Sequence, residues 1–163
     1  MSFEVRWKSV RRAFAVMLLL VCAGGTGGRS CVRADEKSAV KLPPGVRMER
    51  DLAYVEGGDE SQKLDLYLPE KAAAGPLPLI VHIHGGGWRG GSKFPCPFLV
   101  LVNRGYAVAS IEYRFSQKAV FPAQIQDCQA AIRWLRGQAG KYGLNAEKVG
   151  VIGGSAGGHL SAL

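Results

Sequence analysis

A serine between two glycines, directly after a short apolar run, is the feature that most constrains this sequence. The pattern Gly153-x-Ser155-x-Gly157 follows the unbroken apolar run Val149 to Ile152, which is typical of a central strand of a parallel sheet. This spacing fits a nucleophile elbow, a sharp strand-to-helix turn that leaves no room for side chains beside the serine. The hydroxyl then projects at the carboxyl end of the sheet, where the helix N-terminal amides attract negative charge. The pattern predicts an α/β chain with a nucleophilic serine.

A second glycine-rich segment also follows a predicted strand. Residues 84 to 92 read HGGGWRGGS and come directly after the apolar run Leu77 to Ile83. Consecutive glycines leave backbone N–H groups unobstructed, and such amides stabilise the oxyanion of a tetrahedral intermediate by about 3 kcal/mol or more. The two segments therefore predict a nucleophile and an oxyanion hole, which acyl transfer needs together.

Residues 85 to 90 also fit the Gly-x-Gly-x-x-Gly pattern of dinucleotide-binding folds. That motif requires a helix opening on its last glycine and an acidic residue about 20 positions later. Glu112 meets the second requirement, but Pro95 and Pro97 delay any helix after Gly90. A phosphate-binding loop of the type GxxxxGK[ST] is excluded, since no lysine follows the second glycine. We therefore expect no cofactor.

Short apolar runs alternate with one long helical pattern, which is an α/β signature. Strands are predicted over Asp51 to Glu56, Lys63 to Leu68 and Tyr106 to Ile111, in addition to the two runs named above. The second of these has apolar residues at every other position, which predicts a half-exposed strand near an edge.

The best helical pattern opens at Phe121-Pro122, since proline suits the first turn of a helix. Gly140 or Gly143 is expected to end this helix. Its apolar face has spacings of three and four residues and comprises Ile125, Cys128, Ile132, Leu135 and Ala139.

Residues 1 to 34 have the pattern of a signal peptide, with a basic start, an apolar stretch from Ala13 to Ala23 and then small residues. The stretch reaches about 20 Å, too short for a hydrocarbon core of about 30 Å, so we expect no stable membrane span in the mature chain. Cleavage fits after Ala34, which we favour, or after Ala23. The mature protein is expected to be secreted or periplasmic, through the general secretory route or, with the Arg11-Arg12 pair, the twin-arginine route.

The net charge of +8 would favour nucleic acid as a partner, but its distribution argues against that. Residues 1 to 34 carry six Lys/Arg and one Glu, while the remaining residues carry 15 Lys/Arg and 12 Asp/Glu. The basic character is mostly in the removable segment, so no nucleic-acid partner is expected. A polar linker over residues 35 to 47 precedes the domain over residues 48 to 163.

Only Cys96 and Cys128 clearly remain after removal of a signal peptide. Two cysteines in unrelated contexts form no disulfide framework and no metal-ligand spacing, so no metal is expected. Cys128 is expected to be a small core residue of the helix. A single bridge from Cys96 to Cys128 remains open at this point.

These segments together resemble the N-terminal half of an α/β-hydrolase esterase, of the group that includes hormone-sensitive-lipase-like esterases and bacterial xylan-type carbohydrate esterases. The resemblance covers about residues 48 to 163. Its motifs are HGGGW at 84 to 88, GYAVAS at 105 to 110 leading to Tyr113-Arg114, FPAQ at 121 to 124, AAIRWL at 130 to 135, and GGSAGGH at 153 to 159.

The resemblance implies an α/β-hydrolase fold, with a mostly parallel sheet, that stops after the nucleophile elbow. It also implies a role for individual residues: Ser155 as the nucleophile, and the amides of Gly86, Gly87 and Ala156 as the oxyanion hole. His84, Gly85, Gly153 and Gly157 are the supporting motif positions, His84 shaping the loop rather than transferring protons. Trp88 favours the xylan and feruloyl esterases over the lipase-like group.

The acid and base of a triad are not evident, because the family places both after the serine. His82 and His84 precede Ser155, and His159 is expected to be a helix-packing residue whose ring is carried away from the hydroxyl. Asp127 has no histidine to orient and is expected to be structural. The chain therefore has the look of a truncated domain, inactive as it stands.

The sequence thus predicts an exported carboxylic-ester hydrolase whose substrate is a small-molecule or polysaccharide-linked ester. Acetyl-xylan or feruloyl esters are the more specific possibility within that class. The same pattern is compatible with a noncatalytic remnant that binds a ligand with these loops, and with an amidase or peptidase. Acyl and alcohol specificity, the triad acid and base, and the oligomeric state remain open.

Overall fold

The computed structural model describes residues 41–163, so the predicted signal peptide and residues 35 to 40 of the predicted linker lie outside the described residues. Five strands, three helices and a 3₁₀ segment follow in this part of the chain. In order they are β1 (Val46–Ala53), β2 (Lys63–Pro69), β3 (Leu77–Ile83), the 3₁₀ segment (Leu99–Arg104), β4 (Ala107–Ile111), α1 (Ala123–Gly137), α2 (Ala139–Tyr142), β5 (Leu144–Gly153) and α3 (Ala156–Ala162).

The strands form one mixed sheet in the order β1-β2-β4-β3-β5. β1, β2 and β4 pair antiparallel, while β4, β3 and β5 are parallel. Ile83 at the end of β3 is opposite Gly153 at the end of β5. Because the carboxyl ends of parallel strands meet at one edge, the glycine-rich segments that follow β3 and β5 start side by side.

β2 lies near an edge of the sheet, next to the edge strand β1, but it is not half-exposed as its alternation predicts. It lies between β1 and β4, and its five central residues are all buried. The polar positions of the alternation, Asp65 and Tyr67, face a second buried cluster instead of solvent. Alternation distinguishes the two faces of a strand but does not reveal what covers each face.

Two strands differ in their bounds from the sequence prediction. β1 begins at Val46, before the predicted start, and ends at Ala53. Val46 and Arg47 pair with β2 and so belong to the sheet and not to the linker. β5 extends from Leu144 to Gly153 and occupies an edge of the five-stranded sheet, where Val151 is partly exposed.

α1 is confirmed near its predicted start but ends at Gly137, before either predicted glycine. Gly143 instead ends α2, with φ of +67°, a left-handed conformation that glycine adopts readily. Of the predicted face, Cys128 and Leu135 are fully buried, and the two isoleucines and Ala139 pack partly buried against the core. The buried side of α1 also includes polar residues, Gln124 and Asp127.

The two faces of the sheet carry separate cores. On one face, α1 and α3 cover a large cluster that includes Leu79, Val81 and Ile83 of β3. On the other, the 3₁₀ segment and the chain before it cover a smaller cluster around Tyr67 and Val108. Cys128 lies in the first cluster and Cys96 in the second, so both thiols are free and the possible bridge is absent. Within residues 41–163, no helix combines the length and apolar character needed to cross a bilayer.

Candidate active site

Ser155 occupies the turn between β5 and α3, where the backbone has a conformation rare for a residue with a side chain. Its φ is +54° and its ψ is −123°, and its side chain is exposed. A Cβ on Gly157 would collide with the carbonyl oxygen of Ile83, and one on Gly153 would lie 2.8 Å from that same oxygen. Both glycines are therefore required because the turn packs directly against the end of β3. A strained backbone like that of Ser155 is common at functional sites.

The loop after β3 runs alongside this turn. A Cβ on Gly85 would lie 2.8 Å from the carbonyl oxygen of Gly154 and 3.4 Å from the Ser155 Cβ, so the two glycine-rich segments are in direct contact. Gly86 and Gly87 have φ of +121° and +61°. A Cβ on Gly86 would also collide with the carbonyl oxygen of Gly90, which leaves only glycine at this position.

The amides predicted to bind an oxyanion are available. Within residues 41–163, the N–H groups of Gly86 and Gly87 donate to no protein acceptor. Ala156 begins α3, and the first amides of a helix have no acceptor within it. The structure therefore brings these three amides and Ser155 to the same edge of the sheet.

His84 holds the loop through both ring nitrogens. Nδ1 is 2.7 Å from the carbonyl oxygen of Gly85, and Nε2 is 2.7 Å from Oε1 of Glu112. Since a carbonyl only accepts, Nδ1 donates to Gly85, while Nε2 is engaged by the carboxylate of Glu112. The ring also stacks on Tyr113, with centroids 4.5 Å apart. His84 thus has no free nitrogen to act as a base for Ser155.

Glu112 and Tyr113 support the loop after β3, a role that the sequence did not predict for either residue. The second carboxylate oxygen of Glu112 accepts from the backbone N–H of Lys93, so this residue ties both ends of the loop to the end of β4. The Tyr113 hydroxyl donates to the carbonyl oxygen of His84 at 3.0 Å. Burial, with smaller contributions from Cys128 and Glu112, raises the pKa of Tyr113 to about 12, so the hydroxyl keeps its proton and remains a donor. The sequence signals were the position of Glu112 directly after a predicted strand and the place of Tyr113 in a motif of the esterase resemblance.

Asp127 has the structural role that the sequence predicts. Its carboxylate accepts from the backbone N–H, Nε and Nη2 of Arg114, and from the side-chain amide of Gln62. Hydrogen bonding to this carboxylate raises the pKa of Arg114 further above its ordinary value. With all these contacts made, Asp127 fixes the segment after β4 to α1 and is not available to orient a histidine.

His82 and Ser110 form a histidine–serine pair that is not a nucleophile and its base. His82 Nδ1 is 2.9 Å from Ser110 Oγ, which itself donates to the carbonyl oxygen of Lys93 at 2.6 Å. The serine proton is therefore already directed elsewhere, and His82 donates to the oxygen. Burial, reinforced by the nearby His84, lowers the pKa of His82, so its ring is neutral. Both side chains are buried, on the face opposite the large core.

His159 is exposed, and the expectation that it packs within the fold is wrong. Its ring lies edge-on to that of Trp88, with centroids 5.4 Å apart. The reason is that α3 presents this position at the mouth of a cavity and not toward the sheet. None of His82, His84 and His159 is hydrogen-bonded to the Ser155 hydroxyl.

That cavity has a volume of about 510 Å³ and lies against the glycine-rich loop. It is within the size range of small-molecule sites. Its lining combines aromatic and polar groups and comprises Gly87, Trp88, Arg89, Ser116, Phe121, Gln124 and His159.

The described residues do not meet the requirements of a dinucleotide site or of a metal site. The loop after β3 passes through turns until the 3₁₀ segment at Leu99, so no helix opens on Gly90 as a dinucleotide site requires. In the described part of the chain, no group of three or more His, Cys, Asp or Glu side chains is arranged to hold a metal ion.

Comparisons with known proteins find similarity to esterases. The sequence pattern of the BD-FAE family matches residues 64–163. Esterase LipC of Mycobacterium tuberculosis is 36% identical over 110 residues, which are 66% of this chain and 27% of LipC. Among solved structures, Esterase B from Lactobacillus rhamnosis has a TM-score of 0.66 and 35% identity, covering 74% of this chain and 40% of that chain. A truncated form of a carbohydrate esterase from gut microbiota has a TM-score of 0.61 and 36% identity, covering 71% of this chain and 42% of that chain. The chain thus spans about a quarter of the length of LipC.

Proposed function

The chain belongs to the BD-FAE family and has the α/β-hydrolase fold of esterases, and we propose that it is a carboxylic-ester hydrolase whose nucleophile is Ser155. The observation that carries this proposal is the direct contact between the two glycine-rich segments. It places a strained, exposed serine beside backbone amides that have no protein acceptor. The substrate is a small-molecule or polysaccharide-linked ester.

In the first step the Ser155 hydroxyl gives up its proton to a base while its oxygen bonds to the ester carbonyl carbon, and the carbonyl oxygen becomes an oxyanion. The N–H groups of Gly86, Gly87 and Ala156 donate to that oxyanion, which is stronger as an acceptor than the neutral carbonyl oxygen of the substrate. Collapse of the intermediate breaks the bond to the alcohol oxygen, which takes up the proton removed from Ser155, and leaves an acyl group on Ser155. Water then repeats the addition and releases the carboxylic acid and the free serine.

Proton transfer needs a base that none of the described histidines provides. His82 and His84 are committed to Ser110 and Glu112, and the Ser155 hydroxyl is bonded to neither of them nor to His159. We therefore propose that efficient turnover requires a histidine and a carboxylate in addition to residues 41–163. The 163-residue chain alone is expected to be a poor catalyst, since loss of triad members costs on the order of 10⁶ in turnover.

A more specific proposal is activity on carbohydrate esters, acetyl-xylan or feruloyl esters among them. It is supported by the similarity to a protein named as a carbohydrate esterase and by the exposed Trp88 at the cavity. An aromatic ring offers a flat apolar surface on which a sugar or phenolic ring can pack. Preferential hydrolysis of acetylated or feruloylated xylo-oligosaccharides over p-nitrophenyl acetate by a catalytically competent form supports this proposal. Equal rates contradict it.

Export is the last part of the proposal. The basic start and the short apolar stretch of residues 1 to 34 support a secreted or periplasmic location. N-terminal sequencing of protein recovered from the medium or periplasm is expected to begin at Asp35. Replacing Arg11 and Arg12 by lysine tests the twin-arginine route, because only that route requires the arginine pair. Protein retained uncleaved inside the cell overturns the proposal.

The nucleophile is tested on the chain itself with a fluorophosphonate probe at about pH 9, where hydroxide takes the place of a histidine. The oxyanion hole alone retains about 10³-fold catalysis in serine hydrolases without a working triad. Mass analysis is expected to find the adduct on the peptide containing Gly153 to Gly158, and Ser155→Ala abolishes it. Labelling of Ser92 or Ser116 at an equal rate supports a noncatalytic binding protein instead.

Hydrolysis of p-nitrophenyl acetate at neutral pH provides the complementary measurement. The 163-residue chain is expected to differ little from buffer. Rapid turnover that Ser155→Ala abolishes contradicts the requirement for a further histidine and carboxylate, while leaving the nucleophile assignment intact.

A further inference from the structure

The cavity beside the glycine-rich loop is lined by a positive charge without a negative one. Its lining includes one formal cation, the guanidinium of Arg89, and no Asp or Glu. Within residues 41–163 this guanidinium makes no hydrogen bond or ion pair, although most of the other charged groups near the site are paired. An arginine without a partner, on the wall of a cavity, is available to an anionic group of a bound molecule.

The backbone of Arg89 is held independently of its side chain. Its N–H donates to the carbonyl oxygen of Gly86 at 3.1 Å, and its carbonyl oxygen accepts from the side-chain amide of Gln117 at 2.8 Å. The root of the side chain is therefore fixed to the same loop that carries the proposed oxyanion amides. A ligand group held by the guanidinium would lie in the cavity to which Gly87 also contributes.

The rest of the lining favours a ring. The rings of Trp88 and Phe121 are 39% and 66% exposed, and both line the cavity. His159 lies edge-on to Trp88 and limits the position of that ring. Gln124 is buried, and its amide nitrogen is used by the carbonyl oxygens of Arg114 and Ala119, so it adds polarity without adding charge.

We propose that this cavity binds a carboxylate-bearing ring of the ester substrate, with the carboxylate on Arg89 and the ring against Trp88. The inference rests on the proposed function, because it assigns the cavity to the substrate of Ser155. The chemistry is shared by two sources, an aromatic acid and a sugar acid. Arg89 is then a specificity-determining residue that selects acidic esters over neutral ones.

The test measures binding of matched charged and neutral probes to the 163-residue chain. Benzoate is compared with benzamide, and glucuronate with glucose, by following the NMR signals of the Trp88 indole and the Gly87 amide. The charged member of one pair or both is expected to bind about tenfold more tightly than its neutral partner, as for hydrogen bonds to an ionised group. The pair with the larger difference identifies the source.

Arg89→Gln is expected to reduce that preference to about twofold or less, because it removes the guanidinium charge, which makes no hydrogen bond or ion pair within residues 41–163. Arg89→Lys keeps the charge without the planar fork and should retain part of the preference. Arg133→Gln is the matched control, since Arg133 is an exposed arginine of α1 outside the cavity, and it should bind as the original chain does.

Equal affinities for charged and neutral probes overturn the proposal, as does an equal loss in Arg89→Gln and Arg133→Gln. Ser155→Ala separates this inference from the proposed function, since binding needs no nucleophile. Selective fluorophosphonate labelling of Ser155 without a charge preference rejects the anion site alone. A charge preference without such labelling rejects the nucleophile and leaves an acid-binding site.

Discussion

The two glycine-rich segments of the site are held in place by different forces. The turn around Ser155 is fixed by close backbone approach, because Gly153 and Gly157 lie against the end of β3 with no space for a Cβ. The loop after β3 is fixed by side chains from elsewhere in the chain, with Glu112 and Tyr113 both holding His84. The turn around Ser155 depends on the absence of side chains at its own glycines, whereas the loop after β3 depends on contacts with residues that are distant in sequence.

The largest effect is expected at Gly157. Gly157→Val places a side chain against the carbonyl oxygens of Ile83 and His84, which are backbone atoms that cannot move without disrupting β3. We expect a loss of about 4 kcal/mol or more in the free energy of unfolding, measured by urea denaturation.

Gly140→Ala is the control for this substitution, because a Cβ on Gly140 in α2 would meet nothing within 4 Å. It should stabilise the chain by about 0.5 kcal/mol or more, as alanine does in helices. A Gly157 variant as stable as the original chain would show that the turn is not fixed by backbone contact.

Gly86 and Gly87 provide a matched pair within the loop. Gly86→Ala combines φ of +121° with a collision against the carbonyl oxygen of Gly90, whereas a Cβ on Gly87 would meet nothing within 4 Å. We expect the free energy of unfolding to fall by about 3 kcal/mol for Gly86→Ala and by about 1 kcal/mol for Gly87→Ala. Gly86→Ala should also slow fluorophosphonate labelling of Ser155 by about 10² or more. Equal effects of the two substitutions on stability would contradict the steric argument.

Removing the charge of Glu112 tests whether this distant residue holds the loop after β3 in place. Glu112→Gln removes the carboxylate that contacts both His84 and the Lys93 amide. We expect the free energy of unfolding to fall by about 1 to 3 kcal/mol, as for the loss of a largely buried charged hydrogen bond. Hydrogen exchange should accelerate at the Arg89 amide, which donates to the Gly86 carbonyl oxygen within this loop, while α3 remains protected. Glu147→Gln, at an exposed position, should change neither measurement. Uniform acceleration across the sheet would mean that Glu112 stabilises the whole fold and not the loop.

The smallest effect is expected at Ser155 itself. Its φ of +54° is unfavourable for a residue with a Cβ, and glycine relieves that strain. Ser155→Gly should therefore be about 1 kcal/mol more stable than Ser155→Ala, which removes the hydroxyl but keeps the strain. A stability order in which alanine exceeds glycine would show that the turn is relaxed.

Much of the site was predictable because its constraints are local. Gly153, Gly157 and Gly86 stand where a side chain would collide, so the steric requirement appears in the sequence as glycine itself. The parallel strands over Leu77–Ile83 and before Gly153 were recognisable from unbroken apolar runs. The burial of β2 could not be predicted, because Asp65 and Tyr67 are polar residues of the kind that usually face solvent. Only the tertiary structure shows that the 3₁₀ segment and its neighbours cover this face of β2.

The sequence alone determined the succession of the strands and the long helix α1 along the chain, the sharp turn around Ser155 and the glycine-rich segment that follows β3. Backbone sterics act over a few residues, so these features leave a local pattern. The tertiary structure decided which side chains hold the loop, that His159 faces a cavity, and that Arg89 has no partner among residues 41–163. These outcomes depend on electrostatic and packing contacts between residues far apart in sequence, and those contacts arise only when the strands take their order in the sheet.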